Sequence, residues 1–403
     1  MPQTLRLCER SSEMQKLVKR VAGARRVVVV TGAGISVNCG IPDFRSSTGL
    51  FQQIQAAHSK VVSKGRDLFD ASVVFRSEQA ANVFYEWMTH LRHQCADAQP
   101  GVVHQFIREL ADRGMLLRSY TQNIDGLERK AGLAVWDPYR PKDSPQYVSW
   151  QQAQSIPLHG TMEHLYCQLC SSSFHFAEQP GDTALSAGDV CVDCMQRSET
   201  REALGRRSLP AGKLRPAVVL YQEPHPHSED IAKIISHDTR ALKSRRTSHD
   251  VILVFGTTLK VPGCRQLVKQ LATASSQSTT ILVNNEPVCG RVWDGIVDYQ
   301  VIGCVDDWCS RIRRVWNSQT KITRWTATTK SATRKENKCD TLAVPQKALS
   351  RKRKAVDEDE PERKQQCVVP DLPARRSRRI AATRSHLDHC QQQQSPRPLS
   401  ICT

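Results

Sequence analysis

The stretch that decides the fold is Thr31–Ser46, with the sequence TGAGISVNCGIPDFRS. It follows four valines, Val27–Val30, which are typical of a short buried strand in a parallel sheet. Glycines directly after such a strand let the backbone approach a phosphate, and a helix beginning there would direct amide groups towards it. The stretch therefore predicts a nucleotide site. The ordinary dinucleotide fingerprint also needs glycine at the position of Val37 and an acidic residue about 20 residues later, and both are missing.

Short apolar runs rich in β-branched residues recur along the chain and predict further strands of the same sheet. Helical patterns separate several of them, most clearly between Val103 and Leu110, where apolar residues recur at i, i+3, i+4 and i+7. Strands that alternate with helices predict an α/β fold with a doubly wound, Rossmann-like parallel sheet, whose ligands bind beyond the carboxyl ends of the strands. The predicted strands are Val27–Val30, Leu116–Tyr120, Ala217–Leu220, Val251–Phe255, Thr280–Val283 and Val297–Ile302.

Polar loops follow these strands and are candidates for the site. Gln122–Asp125 places three polar side chains after one strand, although such a turn alone is typical of a helix cap. His159 offers the side chain best suited to proton transfer near neutral pH, whereas His104 is interpreted as a packed or surface residue. The segment Gly256–Thr258 could hold a phosphate through backbone amides, and Asn284 with Glu286 could bind a ribose or adenine.

Four of the 15 cysteines form two Cys-x-x-Cys pairs, Cys167 with Cys170 and Cys191 with Cys194. Two such pairs supply the four thiolates of a closed tetrahedral zinc site, and buried or redox cysteines are the alternative interpretation. Four thiolates leave no coordination position open, so the metal would be structural. The pairs predict a small zinc ribbon inserted into the larger domain.

Basic residues are concentrated towards the C-terminus. The 403 residues carry a net charge of +17, and residues 321–403, with 19 Lys/Arg and 9 Asp/Glu, contribute +10 of it. This region mixes basic, acidic and glutamine-rich stretches that cannot bury enough apolar surface to fold, so we expect disorder from residue 318. No run of 18 apolar residues and no apolar signal core is present, which predicts neither a membrane span nor secretion. Scattered cysteines then favour a reducing compartment.

Five motifs in this order resemble the sirtuin family of NAD-dependent protein deacylases. They are Gly-Ala-Gly-Ile-Ser at 32–36, Gly-Ile-Pro-Asp-Phe-Arg at 40–45, Gln-Asn-Ile-Asp at 122–125, Leu-His-Gly at 158–160 and the paired cysteines. The resemblance extends from about residue 20 to residue 310. Within the family, three stretches resemble the fungal nuclear branch that deacetylates a lysine in the globular core of a histone: 213–221, 225–227 and 256–263.

The resemblance implies a reaction in which an acetyl-lysine oxygen attacks the nicotinamide ribose of NAD. His159 would then act as general base on a ribose hydroxyl, with Asn123 and Asp125 orienting the nicotinamide end, and O-acetyl-ADP-ribose would be released. The peptide would add as a strand between two domains. The implied cofactor-binding residues are Gly32, Ala33, Gly34, Ser36, Asp43, Phe44, Arg45, Gln122, Asn123, Ile124, Asp125, Gly256, Thr257, Thr258, Asn284, Asn285, Glu286 and Val305, and the zinc ligands are Cys167, Cys170, Cys191 and Cys194.

The predicted organisation has five parts. A helical segment precedes a Rossmann-like NAD-binding domain, which is interrupted by the zinc-binding module and followed by a disordered basic tail. The first part of the NAD-binding domain contains a mobile cofactor loop at 41–75, which carries Phe44 and Arg45, and an inserted surface loop at 137–155. The boundaries of the five parts are 1–26, 27–160, 161–212, 213–317 and 318–403.

Three features depart from the family pattern. Gln222 stands where many sirtuins have a glycine, Thr258 replaces the commoner serine, and the loop at 137–155 lengthens the separation between Asp125 and His159. Sirtuins that prefer acidic acyl groups carry a tyrosine and an arginine after the cofactor motif. Neither occurs between Ser46 and Gly65, which favours neutral groups such as acetyl.

Two basic clusters in the tail, 351–354 and 375–379, resemble nuclear-localisation signals, and a solvated coil is the alternative. Our hypothesis is a nuclear NAD-dependent deacetylase of histone-tail or core lysines in chromatin, with a role in silencing or genome maintenance. It would contain one structural zinc ion and contact nucleic acid only through its tail. The alternatives are a deacylase or ADP-ribosyltransferase of other proteins, an NAD oxidoreductase, and a catalytically silent chromatin-binding scaffold.

Overall fold

The computed structural model describes residues 2–9, 11–176, 189–244, 249–275 and 277–318. The predicted tail beyond residue 318, with its basic clusters, lies outside these residues, and within them no helix is both long and apolar enough to cross a bilayer. The strands are β1 Gln3–Arg6, β2 Arg26–Thr31, β3 Leu116–Thr121, β4 Ser155–Pro157, β5 Gly160–Cys167, β6 Ser173–His175, β7 Leu214–Val218, β8 Asp250–Phe255, β9 Thr279–Asn284 and β10 Tyr299–Ile302. The helices are α1 Ser12–Ala22, α2 Leu50–Ala57, α3 Ala71–Val74, α4 Glu78–Asp97, α5 Val102–Asp112, α6 Leu127–Lys130, α7 Val192–Ala203, α8 Ser228–Ser244, α9 Pro262–Ala274 and α10 at 305–318.

Seven strands form one parallel sheet in the order β1-β10-β9-β8-β2-β3-β4. The valines of β2 alternate between its two faces, as the period of a strand requires. Val27 and Val29 pack into a core with α1, α5 and α10, whereas Val28 and Val30 pack into a second core with α8 and α9. Helices therefore cover both faces, and the predicted doubly wound parallel sheet is confirmed.

Three short strands differ from the sequence-based expectation, which included no strand at β1 or β4 and placed β7 in the parallel sheet. Strand β1 lies in the segment predicted to be helical and pairs with β10, and β4 pairs with β3. The prediction that Ala217–Leu220 belongs to the parallel sheet is wrong, because β7 ends at Val218 and pairs antiparallel with β5. Apolar runs of four or five residues indicate a strand, but they carry no information about its partner.

Strands β5, β6 and β7 form a separate antiparallel sheet in the order β6-β5-β7. This sheet, α7 and the four paired cysteines make up a small module. Apolar side chains of the module share a third core with α2 and α4, which includes Ile54, Phe84 and Met88. Because α2 and α3 lie within 41–75 and contribute side chains to this core, the predicted cofactor loop is packed against the small module.

The segment 137–155 has no helix or strand before Ser155. Its two ends are nevertheless buried, since Asp137 and Ala153 are each 4% exposed. Arg118 on β3 donates hydrogen bonds to the backbone carbonyls of Trp150 and Ala153, and it pairs with Asp238 of α8 at 2.8 Å. The segment, which the sequence predicts as a surface loop, is therefore anchored to the sheet.

Candidate functional site

The carboxyl ends of the parallel strands open into a cleft of about 660 Å³. The loops after β2, β3, β4, β8, β9 and β10 all contribute to it. It brings together most of the residues singled out in the sequence, namely Gly32, Ala33, Gly34, Asp43, Phe44, Arg45, Gln122, Asn123, Ile124, His159, Gly256, Thr257, Thr258, Asn284, Asn285, Glu286 and Val305. Ser36 and Asp125 do not line the cleft and lie behind Asn123.

The glycine-rich loop after β2 touches the loop after β8 backbone to backbone. The amide of Gly34 donates to the carbonyl of Gly256 at 2.9 Å, and a Cβ at Gly34 would lie 2.8 Å from the Gly256 Cα. Gly256 has φ 58°, which side-chain-bearing residues rarely adopt. Two short 3-10 turns, Ala33–Ile35 and Val37–Cys39, follow the first glycine of the loop. The second turn ends at Gly40, whose φ of 89° lies outside the helical region.

His159 is half-buried at the cleft wall, and its tautomer is set by the backbone. Its Nδ1 lies 3.0 Å from the carbonyl oxygen of Gln122, so Nδ1–H donates and the lone pair is on Nε2. Gln122 is held in turn, because its side-chain amide donates to Thr257 Oγ1 at 2.9 Å. Burial lowers the pKa of His159, and the hydrogen bond with Gln122 opposes this effect. A neutral imidazole at pH 7 can accept a proton.

Asn123, Ser36 and Asp125 form a buried hydrogen-bonded chain behind the cleft. The Asn123 side-chain amide donates to Ser36 Oγ at 3.1 Å, and Ser36 Oγ donates to Asp125 Oδ2 at 2.7 Å. The other oxygen of Asp125 accepts the amide of Leu127 at 3.0 Å. Among the described residues, the buried Asn123 Oδ1 has no hydrogen-bond partner. An acceptor in this position suits the N–H of a bound carboxamide.

The segment that carries Phe44 and Arg45 lines the cleft and is held by contacts within itself and with Tyr221. Asp43 Oδ1 accepts the amides of Arg45 and Ser46, both at 2.7 Å. Phe44 packs edge-on against Phe51 and Phe69, with ring centroids 5.7 and 5.5 Å apart. The Arg45 guanidinium donates to the hydroxyl of Tyr221 at 2.7 Å, which connects this segment to the turn after β7.

The turn after β7 contains a left-handed residue that is not glycine. Gln222 is exposed and has φ 64°, a conformation that favours glycine. Glu223 holds the turn, because it pairs with the buried Arg215 at 2.8 and 2.9 Å and accepts the amide of Leu220 at 2.7 Å. The turn thereby fixes Tyr221 at the edge of the cleft.

The four paired cysteines form one cluster in the small module. Sγ atoms lie 3.8 Å apart between Cys167 and Cys194 and 3.6 Å apart between Cys170 and Cys191. Tetrahedral zinc with Zn–S bonds of about 2.3 Å separates its sulfurs by about 3.8 Å. The amides of Leu169 and Cys170 point at Cys167 Sγ, at 3.3 and 3.4 Å, and would stabilise a thiolate. The donor set and its spacing therefore fit one zinc ion.

Sequence reasoning missed several residues of the site. Asn38, Lys260 and Asp306 line the cleft, and each lies close to a motif that the sequence did single out. Glu128, which does not line the cleft, is 2% exposed, and burial together with the charge of Asp125 raises its pKa to about 8. A glutamate at this position in a short charged segment is typical of the exposed face of a helix, so the sequence did not indicate that Glu128 is buried.

The cleft can be compared with known proteins. A family model described as the Sir2 family matches residues 32–138. The chain is 36% identical over 310 residues to the NAD-dependent histone deacetylase HST3 of Candida albicans, covering 75% of this chain and 62% of that protein. It is 40% identical over 273 residues to the NAD-dependent protein deacetylase hst4 of Schizosaccharomyces pombe, covering 68% and 62%. This chain thus spans less than two thirds of the length of both relatives.

Another relative and a solved structure extend the comparison. The NAD-dependent histone deacetylase HST4 of Saccharomyces cerevisiae is 33% identical over 290 residues, covering 70% of this chain and 73% of that protein. A crystal structure of a Sir2 homologue with NAD superimposes with a TM-score of 0.54 at 22% identity, covering 75% of this chain and 94% of that one. The structural likeness shows the shared fold. On the motifs and these relatives together, the chain belongs to the Sir2, or sirtuin, family.

Proposed function

We propose that this chain is an NAD-dependent protein-lysine deacetylase that acts on histones. The observation that carries the proposal is the hydrogen bond of 3.0 Å between His159 Nδ1 and the Gln122 carbonyl, which leaves a basic Nε2 at the cleft. The fungal relatives named above are NAD-dependent histone or protein deacetylases, which supports the same assignment.

The residues of the cleft have separate tasks in this proposal. His159 accepts a proton at Nε2 from a ribose hydroxyl of the co-substrate, and the Gln122 carbonyl keeps the ring in the required tautomer. Asn123 offers its free carboxamide oxygen to the nicotinamide end, and Ser36 and Asp125 keep that side chain oriented. Phe44 and Arg45 cover the reacting end and limit the access of water.

NAD would supply the ribose that is cleaved from nicotinamide and that accepts the acyl group. Gly32, Ala33 and Gly34 would hold its pyrophosphate, while the adenosine half would contact residues at the ends of β8, β9 and β10. Those residues are Gly256, Thr257, Thr258, Asn284, Asn285, Glu286 and Val305. One zinc ion, bound by the four cysteines, would stabilise the small module and take no part in the reaction.

The substrate is proposed to be an acetylated lysine of a histone, in a tail or in the globular core. Its peptide would lie as an added strand between the small module and the parallel sheet, next to residues 218–221, which line the cleft. The names of the histone-deacetylating relatives support a nuclear location, and import would depend on the basic clusters at 351–354 and 375–379. Contact with nucleic acid is proposed for the tail alone.

The test is incubation of the purified full chain with acetylated histone peptides, with and without NAD, followed by mass spectrometry. We expect acetyl loss only with NAD, and a kcat/KM that falls at least about 100-fold in His159→Ala, because general-base catalysis typically contributes that much. His90→Ala is the control, since His90 is exposed on α4. Equal acetyl loss in wild type and His159→Ala, or none in either, would refute the proposal.

The pH profile adds a second readout. His159 acts as a base in its neutral form, and burial lowers its pKa. The acid limb of the kcat/KM profile should therefore lie below about pH 6.5, the usual pKa of histidine.

Nicotinamide release without any NADH absorbance distinguishes the deacetylase from an oxidoreductase. A silent scaffold would release no nicotinamide, and an ADP-ribosyltransferase would add mass to the protein substrate.

A further inference from the structure

A second group of metal-ligating side chains lies in the small module and shares no residue with the cysteine cluster. Glu163, His164 and His175 each offer one ligand atom, and the three atoms lie within 4.8 Å of one another. We propose that these residues form a second metal site for a divalent transition-metal ion, with Zn²⁺ as the favoured occupant. The site is independent of the cleft chemistry proposed above.

The antiparallel pairing of β5 and β6 places the two histidines side by side. His164 and His175 are direct partners in the ladder, so their side chains project from the same face of the sheet. Their ring centroids are 5.0 Å apart and the rings are perpendicular. The backbone therefore fixes a pair of imidazoles at a separation that a shared ion can bridge after a small movement.

His164 has the environment of a metal-bound histidine. Its Nε2 lies 2.9 Å from Asp137 Oδ2, and both side chains are 3% exposed. Histidines that bind metals usually donate their other ring N–H to a carboxylate in this way. With Nε2–H donated to Asp137, the lone pair is on Nδ1, which is buried and has no hydrogen-bond partner among the described residues. Leaving such an atom unpaired costs free energy that a bound cation would recover.

Glu163 supplies a carboxylate as the third ligand. Its Oε2 lies 3.1 Å from Arg129 Nε, and the two atoms do not form a hydrogen bond. Arg129 also lies 3.3 Å from Asp137, so it keeps a carboxylate partner when Glu163 turns to the ion. Glu163 and His175 are partly exposed, so solvent can supply a water molecule as a fourth ligand.

Two histidines, one glutamate and a water are a donor set that suits Zn²⁺. At Zn–N and Zn–O bonds of about 2.0–2.1 Å, tetrahedral ligand atoms lie about 3.3 Å apart. The three side chains would therefore close by up to about 1.5 Å on binding. The competing interpretation is a buried polar cluster in which Asp137 pairs with His164, Arg129 and Arg140 and no metal ion is bound.

The experiment measures metal binding to the full chain. After a mild chelator has removed weakly held metal, Zn²⁺ is titrated against a competing indicator dye, and bound metal is counted by mass spectrometry. We expect the wild type to bind one equivalent more than His175→Gln. Asp137→Asn should lower the affinity for this additional Zn²⁺ ion by about 10–100-fold, because it removes the carboxylate that pairs with His164. His90→Gln, which changes an exposed histidine, should match the wild type.

Retention of the tightly held zinc by each variant shows that the small module is folded. Binding of Co²⁺ in place of Zn²⁺ gives an independent readout by absorption spectroscopy. Co²⁺ at the second site should add visible absorption bands, but no thiolate-to-metal charge-transfer band, because this site has no cysteine ligand. The proposal fails if the wild type takes up no equivalent beyond that of the cysteines, or if His175→Gln binds it as tightly as the wild type. Either result leaves the proposed deacetylase activity untouched, because none of these residues has a role in it.

Discussion

The parallel sheet and the small module are stabilised by different means. Strand β2 at the centre of the sheet has four fully buried valines, and helices cover both of its faces. Helix α7 of the module buries only Cys194, and large apolar side chains of the module such as Leu169, Val192 and Leu204 are more than half exposed. The sheet therefore relies on apolar burial, whereas the module shares its buried apolar side chains with α2 and α4 and is expected to depend also on zinc bound by its cysteines.

This difference matters for function because the cleft needs both regions. The parallel strands provide the loops that we propose bind the cofactor, and His159 lies directly before β5, the first strand of the module. A loss of order in the module would therefore disturb the proposed base while leaving most of the nucleotide loops intact. Variants that act on one region alone can separate these contributions.

The largest effect is expected from Cys191→Ser. It removes one of four zinc ligands, and structural zinc in small sites is worth on the order of 10 kcal/mol, so we expect loss of the zinc ion and unfolding of the module. Hydrogen exchange should then show fast exchange in β5, β6 and β7, with β2 and β8 still protected. Cys289→Ser, at an exposed free cysteine, is the control. Stoichiometric zinc in Cys191→Ser would contradict the four-cysteine site.

A smaller effect, on the sheet, is expected from Arg118→Met. Arg118 and Asp238 are 5% and 0% exposed, so the variant leaves a buried carboxylate without its cation, a change that typically costs about 3–5 kcal/mol. It also frees the end of the 137–155 segment. Urea unfolding of the full chain measures the loss through its midpoint.

The matched control for Arg118→Met is Lys233→Met on the same helix as Asp238. Its ion pair with Asp230 is exposed and should be worth less than about 1 kcal/mol. Equal losses in the two variants would show that the buried pair contributes no more than a surface pair. A loss of zinc in Arg118→Met would show that the two regions do not fold independently.

The same contrast explains what the sequence could predict. The valines of β2 and the loops after β3, β8 and β9 are local signals, and parallel strands necessarily bring such loops to one edge of the sheet. The partner of β7 and the short strands β1 and β4 depend on contacts distant in sequence, which a local pattern does not contain. Burial of Glu128 is equally non-local, because residues distant in sequence, including Pro157, Gly160 and His225, surround the same small cavity.

The smallest effect is expected at Gln222, in the turn that joins the module to the parallel-sheet region. Its φ of 64° costs a residue with a side chain about 1 kcal/mol relative to glycine. Gln222→Gly should therefore stabilise the chain by up to about 1 kcal/mol and raise the unfolding temperature by roughly 2 °C. Gln222→Ala is the control, because it removes the exposed side chain and keeps the unfavourable backbone. If glycine proved less stable than alanine here, the entropy of the unfolded chain would outweigh the strain of the turn.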